Sequence, residues 1–265
     1  MFGSMKTAKT VLGALFGFAL ATASAQAQDL KLGANIGNVP WEFQNSKGEF
    51  VGFEIDLVNE IGKRLGYRIK VVNIPFNGLF AAVESGQIDM AVSSMTITPK
   101  RLQNVSFAQP YYDSDQSLSV ATASGIKNLA GTAGKSIGVD TGSTGDVWAT
   151  QNKDKYKIAD IRRYEGLAPA MLDLAAGRID GYISDFPAVQ YYVRDKPAYK
   201  VVERIPAGGQ YSIMFARNSP LAAKADAVIT KLKGEGFIAA LHKKWFGVAA
   251  GENSATVKPA MMPKL

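Results

Sequence analysis

The chain has 265 residues, of which 47% are hydrophobic, so it is long enough to form two lobes with a core in each. It contains no cysteine and one histidine, which excludes disulfides and leaves no recognisable set of metal ligands. The formal net charge is +7, but the lysines and arginines are scattered among acids, so the charge does not indicate a nucleic-acid surface. We therefore expect no metal, no cofactor and no nucleic-acid partner.

Residues 1–27 have the features of a signal peptide. Lys6 and Lys9 give a positive start, residues 11–21 are apolar, and Ala25-Gln26-Ala27 is a small-x-small cleavage site. The apolar stretch is shorter than the roughly 20 residues that a membrane span requires. The sequence therefore predicts export to a bacterial periplasm.

Strands alternate with helices along the rest of the chain, which indicates the α/β class. In the first half we predict a strand over 30–34, a helix over 55–65, a strand over 67–71 and a helix over 79–85. In the second half we predict strands through 118–120 and up to 139, a helix over 147–151, a strand over 210–215, and helices over 221–233 and 236–245. Residues 250–265 have no periodicity, and we expect them to be disordered.

A short unit occurs twice in the sequence. Gly86-Gln87-Ile88-Asp89 recurs 91 positions later as Gly177-Arg178-Ile179-Asp180. Each copy follows a short apolar helix, which it ends with a glycine, and each leads into a short apolar strand suited to a parallel sheet. The first strand ends in Ser93-Ser94 and the second in Ser184-Asp185. Because ligands of open α/β sheets bind beyond the carboxyl ends of strands, two similar units present polar groups to one ligand.

The residues after the first copy favour binding of a carboxylate. Ser93, Ser94 and Thr96 supply hydroxyl donors, and Thr98-Pro99 is typical of a capped helix start. Arg101 falls in the first turn of that helix, and its guanidinium can hold a carboxylate by two parallel hydrogen bonds. The stretch contains no general base, so it indicates recognition rather than catalysis. An ordinary capped surface helix with a solvated arginine is the alternative.

Asp185 completes the predicted site from the second copy. A ligand that carries both a carboxylate and an ammonium satisfies Arg101 and Asp185 together. The loop 140–145 opens the helix predicted over 147–151, so its backbone N–H groups favour an anion. A phosphate-binding loop is the rival interpretation, but no Gly-Lys-Ser/Thr sequence follows the glycines.

With these residues in place, the chain resembles the periplasmic solute-binding proteins of polar amino-acid ABC transporters over about residues 30–247. The motifs that carry the resemblance are Gly52-Phe53-Glu54-Ile55-Asp56-Leu57, Thr96-Ile97-Thr98 with Arg101, Phe107 with Pro110-Tyr111-Tyr112, Gly142-Ser143-Thr144, Gly177-Arg178-Ile179-Asp180 with Asp185, and Lys244-Trp245-Phe246-Gly247.

The resemblance implies an α/β, two-lobed periplasmic-binding-protein fold of type II, with two crossing hinge strands. Lobe 1 would comprise residues 28–112 and 212–249, and lobe 2 residues 116–207. The lobes would close on a small amino-acid ligand. The protein would be a monomer that delivers this ligand to an ABC permease in the inner membrane.

The resemblance also implies roles for single residues. Arg101 would bind the α-carboxylate with help from Ser94, Thr96 and the loop at Thr144. Asp185 would bind the α-ammonium. Phe76, and an aromatic residue near Pro40 for which Trp41 is the candidate, would pack against the aliphatic part of the ligand.

The departures from the family pattern concern the ligand side chain. Many relatives carry an aspartate where this chain has Asn35 and an aromatic residue where it has Asn38. Members selective for glutamine have lysine where Asp140 stands and histidine where Ser184 stands. These four residues therefore predict a polar side chain, with cationic ones and amino-acid conjugates such as opines included.

Two other functions compete with this interpretation. Some relatives of this fold are cyclohexadienyl dehydratases, whose chemistry needs a general acid of raised pKa, for which Asp140, Asp146 and Asp185 are candidates. An ammonium partner would keep Asp185 ionised, which favours binding. A ligand-responsive partner of a membrane receptor needs the same pocket. His242 lies beside Lys243-Lys244 on a terminal helix, so Ser–His catalysis has little support.

Overall fold

The computed structural model describes residues 1–3 and 28–265. The predicted signal peptide lies outside the described residues, apart from its first three positions. Among the helices described, none combines the length and the apolar character needed to cross a membrane.

The secondary structure from residue 28 to residue 107 alternates strands and helices. Its elements are β1 (Gln28–Ala34), β2 (Phe43–Gln44), β3 (Phe50–Val51), α1 (Phe53–Leu65), β4 (Tyr67–Asn73), α2 (Gly78–Glu84), β5 (Met90–Val92), α3 (Pro99–Leu102) and β6 (Val105–Phe107).

The same alternation continues from residue 112. The elements are β7 (Tyr112–Ala121), β8 (Ser136–Asp140), α4 (Thr144–Asn152), β9 (Asp160–Tyr164), α5 (Leu167–Ala175), β10 (Gly181–Asp185), α6 (Phe186–Val193), β11 (Tyr199–Tyr211), β12 (Met214–Ala216), α7 (Pro220–Gly234) and α8 (Phe237–Phe246).

Ten of the strands form two five-stranded sheets with the same pattern of strand directions, and β2 pairs with β3 in a separate two-stranded sheet. The order is β4-β1-β5-β12-β6 in the first sheet and, read from the matching edge, β9-β8-β10-β7-β11 in the second. We call the parts around these sheets lobe 1 and lobe 2. The chain passes between the sheets twice, from β6 to β7 and from β11 to β12, and β7 pairs antiparallel with β11 at Tyr112 and Tyr211. The residue boundaries predicted for the lobes stay a prediction.

The duplicated unit has the same packing in both sheets. Ile88 and Ile179 are buried against Gly33 and Gly138, where an added Cβ would overlap the isoleucine Cδ1 atom. Gly33 lies in β1 and Gly138 in β8, which are the strands next to the central strands β5 and β10. The isoleucine of the unit therefore requires a glycine in the neighbouring strand.

The aspartates of the unit fix the start of that same strand. The Asp89 carboxylate accepts from the backbone N–H of Lys31 at 2.7 Å, and the Asp180 carboxylate accepts from the N–H of Ser136 at 2.9 Å. The repeated aspartates thus have a structural role, which leaves the other ends of the strands for ligand recognition.

Two of the sequence motifs hold each other in lobe 1. The Asp56 carboxylate accepts from the Lys244 ammonium at 2.7 Å and from the Trp245 indole N–H at 2.8 Å. Gly52 has φ 140°, and a Cβ there would overlap the carbonyl oxygen of Trp41. The two hydrogen bonds to Asp56 fix the terminal helix α8 against α1.

Several elements differ from the prediction. β6, β9 and α6 have no predicted counterpart, and the strand predicted over 210–215 is instead the end of β11 and the start of β12. β9 lies at the edge of its sheet and carries Arg162 and Arg163, so its apolar pattern is weak. The region 210–215 is where the chain crosses from one sheet to the other, which an apolar pattern does not report.

The prediction of a disordered tail over 250–265 is wrong. The backbone N–H of Ala255 donates to the Asp113 carboxylate at 2.7 Å, and the Lys233 ammonium donates to the carbonyl oxygen of Lys258 at 2.9 Å. Burial lowers the pKa of Lys233 to about 8. The tail is ordered by main-chain groups that bond to the buried side chain of Lys233 and to the exposed one of Asp113, and this needs no periodic pattern.

We predict that removal of residues 253–265 destabilises the protein. The buried Lys233 ammonium would lose an acceptor, and an unpartnered buried group costs about 1–3 kcal/mol. Thermal unfolding of the truncated chain should therefore occur several degrees below that of the full chain. Removal of the exposed residues Lys264 and Leu265 alone is the control and should change nothing. Equal melting of both truncated chains would contradict a structural tail.

Candidate functional site

A cleft of about 760 Å³, partly open to solvent, lies between the two lobes at the carboxyl ends of β1, β5, β8 and β10. Its walls come from both lobes. The predicted site residues that line it are Asn35, Asn38, Phe76, Ser93, Ser94, Thr96, Arg101, Asp140, Thr144, Ser184 and Asp185. The parallel order of the central strands explains this convergence, because strands that run in one direction end at one edge of the sheet.

Trp41 does not take the position predicted for it. Its side chain is fully buried in lobe 1, with its ring centroid 5.4 Å from that of Phe53 and 4.6 Å from that of Tyr112. Among the residues described, the cleft lining does not include it. The aromatic residue at this point therefore packs the core beside the hinge and does not contact the cleft.

The position of Arg101 follows from the single turn of α3. The Thr98 hydroxyl accepts from the backbone N–H of Arg101 at 3.2 Å, which is the predicted cap. The Arg101 guanidinium donates to the carbonyl oxygen of Thr96 at 2.7 Å and, across the cleft, to that of Gly142 at 3.4 Å. Arg101 thus touches both lobes in this structure.

The groups around the Arg101 guanidinium are neutral. Its guanidinium carbon lies 5.5 Å from the ring centroid of Phe76 and 5.1 Å from that of Phe80. Burial lowers the pKa of Arg101 to about 10, while the charge of Asp185 opposes the shift. Within residues 28–265 no carboxylate forms an ion pair with Arg101. Its remaining N–H groups are therefore available to an external anion.

The two serines after β5 differ in what they can offer. The Ser93 hydroxyl donates to the Glu42 carboxyl at 2.6 Å, so its proton points into lobe 1. The Ser94 hydroxyl accepts from the Asn38 amide at 2.9 Å, so its proton remains available. Ser93 was expected to donate to a carboxylate, and the structure directs that donor to Glu42 instead.

Thr144 contributes a donor from lobe 2. Ser143 caps α4 by accepting from the backbone N–H of Asp146 at 3.1 Å, which places Thr144 at the first helical position. The Thr144 hydroxyl accepts from the Gln116 amide at 3.0 Å, so its own proton can be donated to a ligand.

Asp185 is a buried anion held by two neutral donors. One carboxylate oxygen accepts from the Tyr211 hydroxyl at 2.7 Å, and the other accepts from the Gln116 amide. Burial raises the pKa of Asp185, while these hydrogen bonds and the charge of Arg101 oppose the shift. The carboxylate can therefore accept from an ammonium group without first breaking an ion pair.

Asp140 has an unused acceptor. Its Oδ2 accepts from the Tyr182 hydroxyl at 2.7 Å and from the Ser184 hydroxyl at 3.2 Å. Its Oδ1 is buried and has no hydrogen-bond partner among the residues described. Burial, followed by the charges of Asp185 and Glu165, raises the pKa of Asp140 to about 7, against the two hydroxyl donors. A cation placed here would lower that pKa again.

Glu165 and Gly166 line the same cleft and were missed in the sequence. They follow β9, which runs parallel to β8 with Tyr164 opposite Asp140. Recognition of β9 as a strand would have placed Glu165 at the cleft edge beside Asp140.

Asn38 also presents an acceptor. Its amide nitrogen donates to the Glu42 carboxyl at 3.0 Å and to the Ser94 hydroxyl at 2.9 Å, which uses both N–H groups. The Asn38 carbonyl oxygen remains for a ligand. Asn38, Asp140 and Glu165 thus favour a ligand side chain that donates hydrogen bonds.

Comparison with known proteins identifies the family. The sequence profile of the bacterial extracellular solute-binding proteins, family 3, matches residues 30–248. The chain is 33% identical over 199 residues to the lysine/arginine/ornithine-binding periplasmic protein of Escherichia coli K12, covering 74% of this chain and 76% of that protein. It is 30% identical over 255 residues to the histidine-binding periplasmic protein of Salmonella typhimurium LT2, covering 91% and 97%.

The solved structures agree with the sequence relatives. The arginine-, lysine-, histidine-binding protein ArtJ from Geobacillus stearothermophilus superposes with a TM-score of 0.79 at 30% identity, covering 85% of this chain and 98% of that one. The chain therefore belongs to the bacterial extracellular solute-binding proteins, family 3, the amino-acid-binding components of ABC transporters, and has the two-lobed periplasmic-binding-protein fold of type II.

Proposed function

We propose that this protein binds a cationic α-amino acid in the periplasm and, as a monomer, delivers it to an ABC permease of the inner membrane. The observation that carries the cationic class is the buried, unpartnered Oδ1 of Asp140 at the cleft wall. A buried acceptor that is left unpaired is costly, so a ligand group that donates to it gains that energy. An opine that carries the same cationic group stays within this proposal.

The relatives support this choice of ligand. The names of the proteins compared above specify lysine, arginine, ornithine and histidine, whose side chains are cationic or can become so. Because Asn35 is neutral in this chain, Asp140 is the partner proposed for the cationic group of the ligand. Glu165 would add a weaker attraction at the edge of the cleft. Glu165 is exposed, and an exposed ion pair contributes little.

The α-amino and α-carboxylate groups are assigned to Asp185 and Arg101. Arg101, Ser94 and Thr144 offer donors, which suits a carboxylate. Asp185 offers acceptors, which suits an ammonium. Phe76 lines the cleft beside the Arg101 guanidinium and would pack against the aliphatic part of the ligand.

Replacement of Arg101 should abolish tight binding. Loss of one partner of a buried charge pair costs roughly 2–5 kcal/mol, so Arg101→Ala should bind L-arginine far more weakly in calorimetry. Arg101→Lys should also bind weakly, because an ammonium cannot form two parallel hydrogen bonds to a carboxylate. Lys100→Ala, which changes an exposed neighbour in α3, is the control. Unchanged affinity of Arg101→Ala would refute the assignment.

Replacement of Asp140 should change selectivity. Asp140→Asn should weaken L-arginine and L-lysine much more than L-glutamine, because only the cationic ligands lose a charge partner. A thermal-shift screen of amino acids and opines on both proteins measures this difference. The control is Asp160→Asn, which removes an exposed carboxylate at the start of β9, the end away from the cleft. It should leave the order of ligand affinities unchanged. Equal loss for every ligand would mean that Asp140 only shapes the loop.

The affinity for L-arginine should depend on pH through Asp140. Its pKa is about 7 in the free cleft, and a bound cation keeps the carboxylate ionised. Binding must therefore release a proton below pH 7, and the dissociation constant should rise by up to about tenfold per pH unit as the pH falls. The guanidinium of L-arginine stays charged throughout. In Asp140→Asn this part of the pH dependence should disappear, and its persistence would assign it to another group.

Dehydratase activity is the second candidate function, because a pKa of about 7 at Asp140 is also suited to a general acid. Incubation of the protein with prephenate or arogenate tests it. We expect no product beyond one equivalent of protein, and sustained turnover would replace the binding function.

A further inference from the structure

Two fully buried glutamates lie beneath the ligand-facing serines of lobe 1. Glu42 precedes β2 and Glu54 is in the first turn of α1, and both have no exposed surface. Neither lines the cleft, so the proposed function does not use them. The Glu54 carboxylate accepts from the backbone N–H of Ser94 at 3.0 and 3.2 Å and from the Tyr111 hydroxyl.

The Glu42 carboxyl has one satisfied oxygen and one that is not. Its Oε1 accepts from the Ser93 hydroxyl at 2.6 Å and from the Asn38 amide at 3.0 Å. Its Oε2 is buried and has no donor among the residues described. The Glu54 carboxyl accepts from the N–H of Ser94, the residue after Ser93, and its charge acts on Glu42. A hydrogen bond between the two carboxyls would need a proton on one of them, because two carboxylates have no donor.

No cation offsets the pair. In the chain from residue 28 onward, no lysine or arginine forms an ion pair with Glu42 or Glu54. The titratable groups that act on the pair are Tyr111 from the segment after β6 and Asp185 from β10 across the cleft. Burial and the Glu54 charge raise the pKa of Glu42 well above its usual range, and burial also raises that of Glu54. Two like charges that are buried beside each other favour one shared proton.

Ser94 explains what the pair can do for the site. Its φ is 47°, in the left-handed region that a serine seldom adopts. The hydrogen bond from its N–H to Glu54 holds this conformation, and the Glu42–Asn38 contact holds the amide that bonds to its hydroxyl. The direction of the Ser94 hydroxyl therefore depends on both carboxyl groups.

We propose that Glu42 and Glu54 form a pair that shares one proton, with Glu42 as the donor and Glu54 as the acceptor, and that this pair positions Ser94 for the ligand carboxylate. Both are positioning residues, since neither touches the cleft. The role of the serine rests on the proposed function, whereas the shared proton does not.

The assignment of donor and acceptor predicts an asymmetry between matched variants. In Glu42→Gln, the amide NH₂ can replace the shared O–H, and the amide oxygen can still accept from Ser93 and Asn38. In Glu54→Gln, an NH₂ group would meet donors, since Glu54 accepts from Ser94, Tyr111 and Glu42. Glu54→Gln should therefore raise the dissociation constant for L-arginine by about tenfold or more, consistent with the cost of an unmade buried hydrogen bond. Glu42→Gln should restore most of the affinity that Glu42→Ala loses.

The shared proton has its own readout in stability. Wild-type Glu42 binds a proton in the folded state up to its raised pKa but loses it near 4.5 when unfolded. Folding stability should thus fall with rising pH across that window, because the unfolded state binds fewer protons there. Glu42→Gln has no such proton, so its stability relative to wild type should increase as the pH rises above about 4.5. Denaturant unfolding from pH 4 to 8 measures both proteins without ligand.

The outcomes separate the two proposals. Equal pH slopes for wild type and Glu42→Gln would overturn the shared proton, whatever the ligand affinity. If the pH slopes of wild type and Glu42→Gln differ as expected while folded Glu54→Gln binds L-arginine as tightly as wild type, the positioning of Ser94 is overturned. If wild type binds none of L-arginine, L-lysine, L-ornithine, L-histidine and the cationic opines, the proposed cationic ligand fails, while the stability experiment still decides the proton. Should Glu54→Gln fail to fold, the rescue of Glu42→Ala by Glu42→Gln decides the positioning role.

Discussion

The charged groups of the cleft are buried against neutral partners rather than against opposite charges, and the arrangement of the site depends on this. Arg101 is held by two backbone carbonyls and two phenyl rings, and Asp185 by a tyrosine hydroxyl and a glutamine amide. Neutral dipoles compensate part of the desolvation cost and leave the charge available. A direct ion pair between Arg101 and Asp185 would satisfy both groups internally, and a zwitterionic ligand would then have to break it. The structure keeps them apart, so under the proposed function the ligand itself completes the pairing.

The duplicated unit provides the geometry for this separation. Ile88 and Ile179 pack against glycines, and Asp89 and Asp180 bond to the neighbouring strand. The part that the two copies share therefore has a structural role. The copies differ after the strand, where one continues into Ser93-Ser94 and the other ends in Ser184-Asp185. Two equal scaffolds thus present unequal ends to one cleft, with the main carboxylate donors on lobe 1 and the acids on lobe 2.

The sequence predicted much of this arrangement and failed where side-chain direction or an edge strand decided the outcome. Glycines, caps and the repeat located the strand ends, so most predicted site residues do line the cleft. Trp41 could not be placed, because an aromatic residue after a proline suits a core as well as a pocket. The proton of Ser93 could not be assigned, since its acceptor Glu42 is 51 residues away. Glu165 was missed with β9, whose exposed arginines hide its pattern.

The charged groups of the cleft, each held by neutral partners, also bear on which ligand side chain the protein selects. Arg101 and Asp185 together match the two charges of any α-amino acid, so they do not distinguish one side chain from another. Asp140 adds a third charge, and its environment offers hydroxyl donors but, among residues 28–265, no lysine or arginine that pairs with it. In the free protein its raised pKa allows a proton to relieve that charge near neutrality. A neutral ligand leaves this proton in place and gains only hydrogen bonds. Under the proposed function a cationic side chain replaces the proton and gains an ion pair with a carboxylate whose own surroundings are mostly protein, where the interaction is stronger than in bulk water.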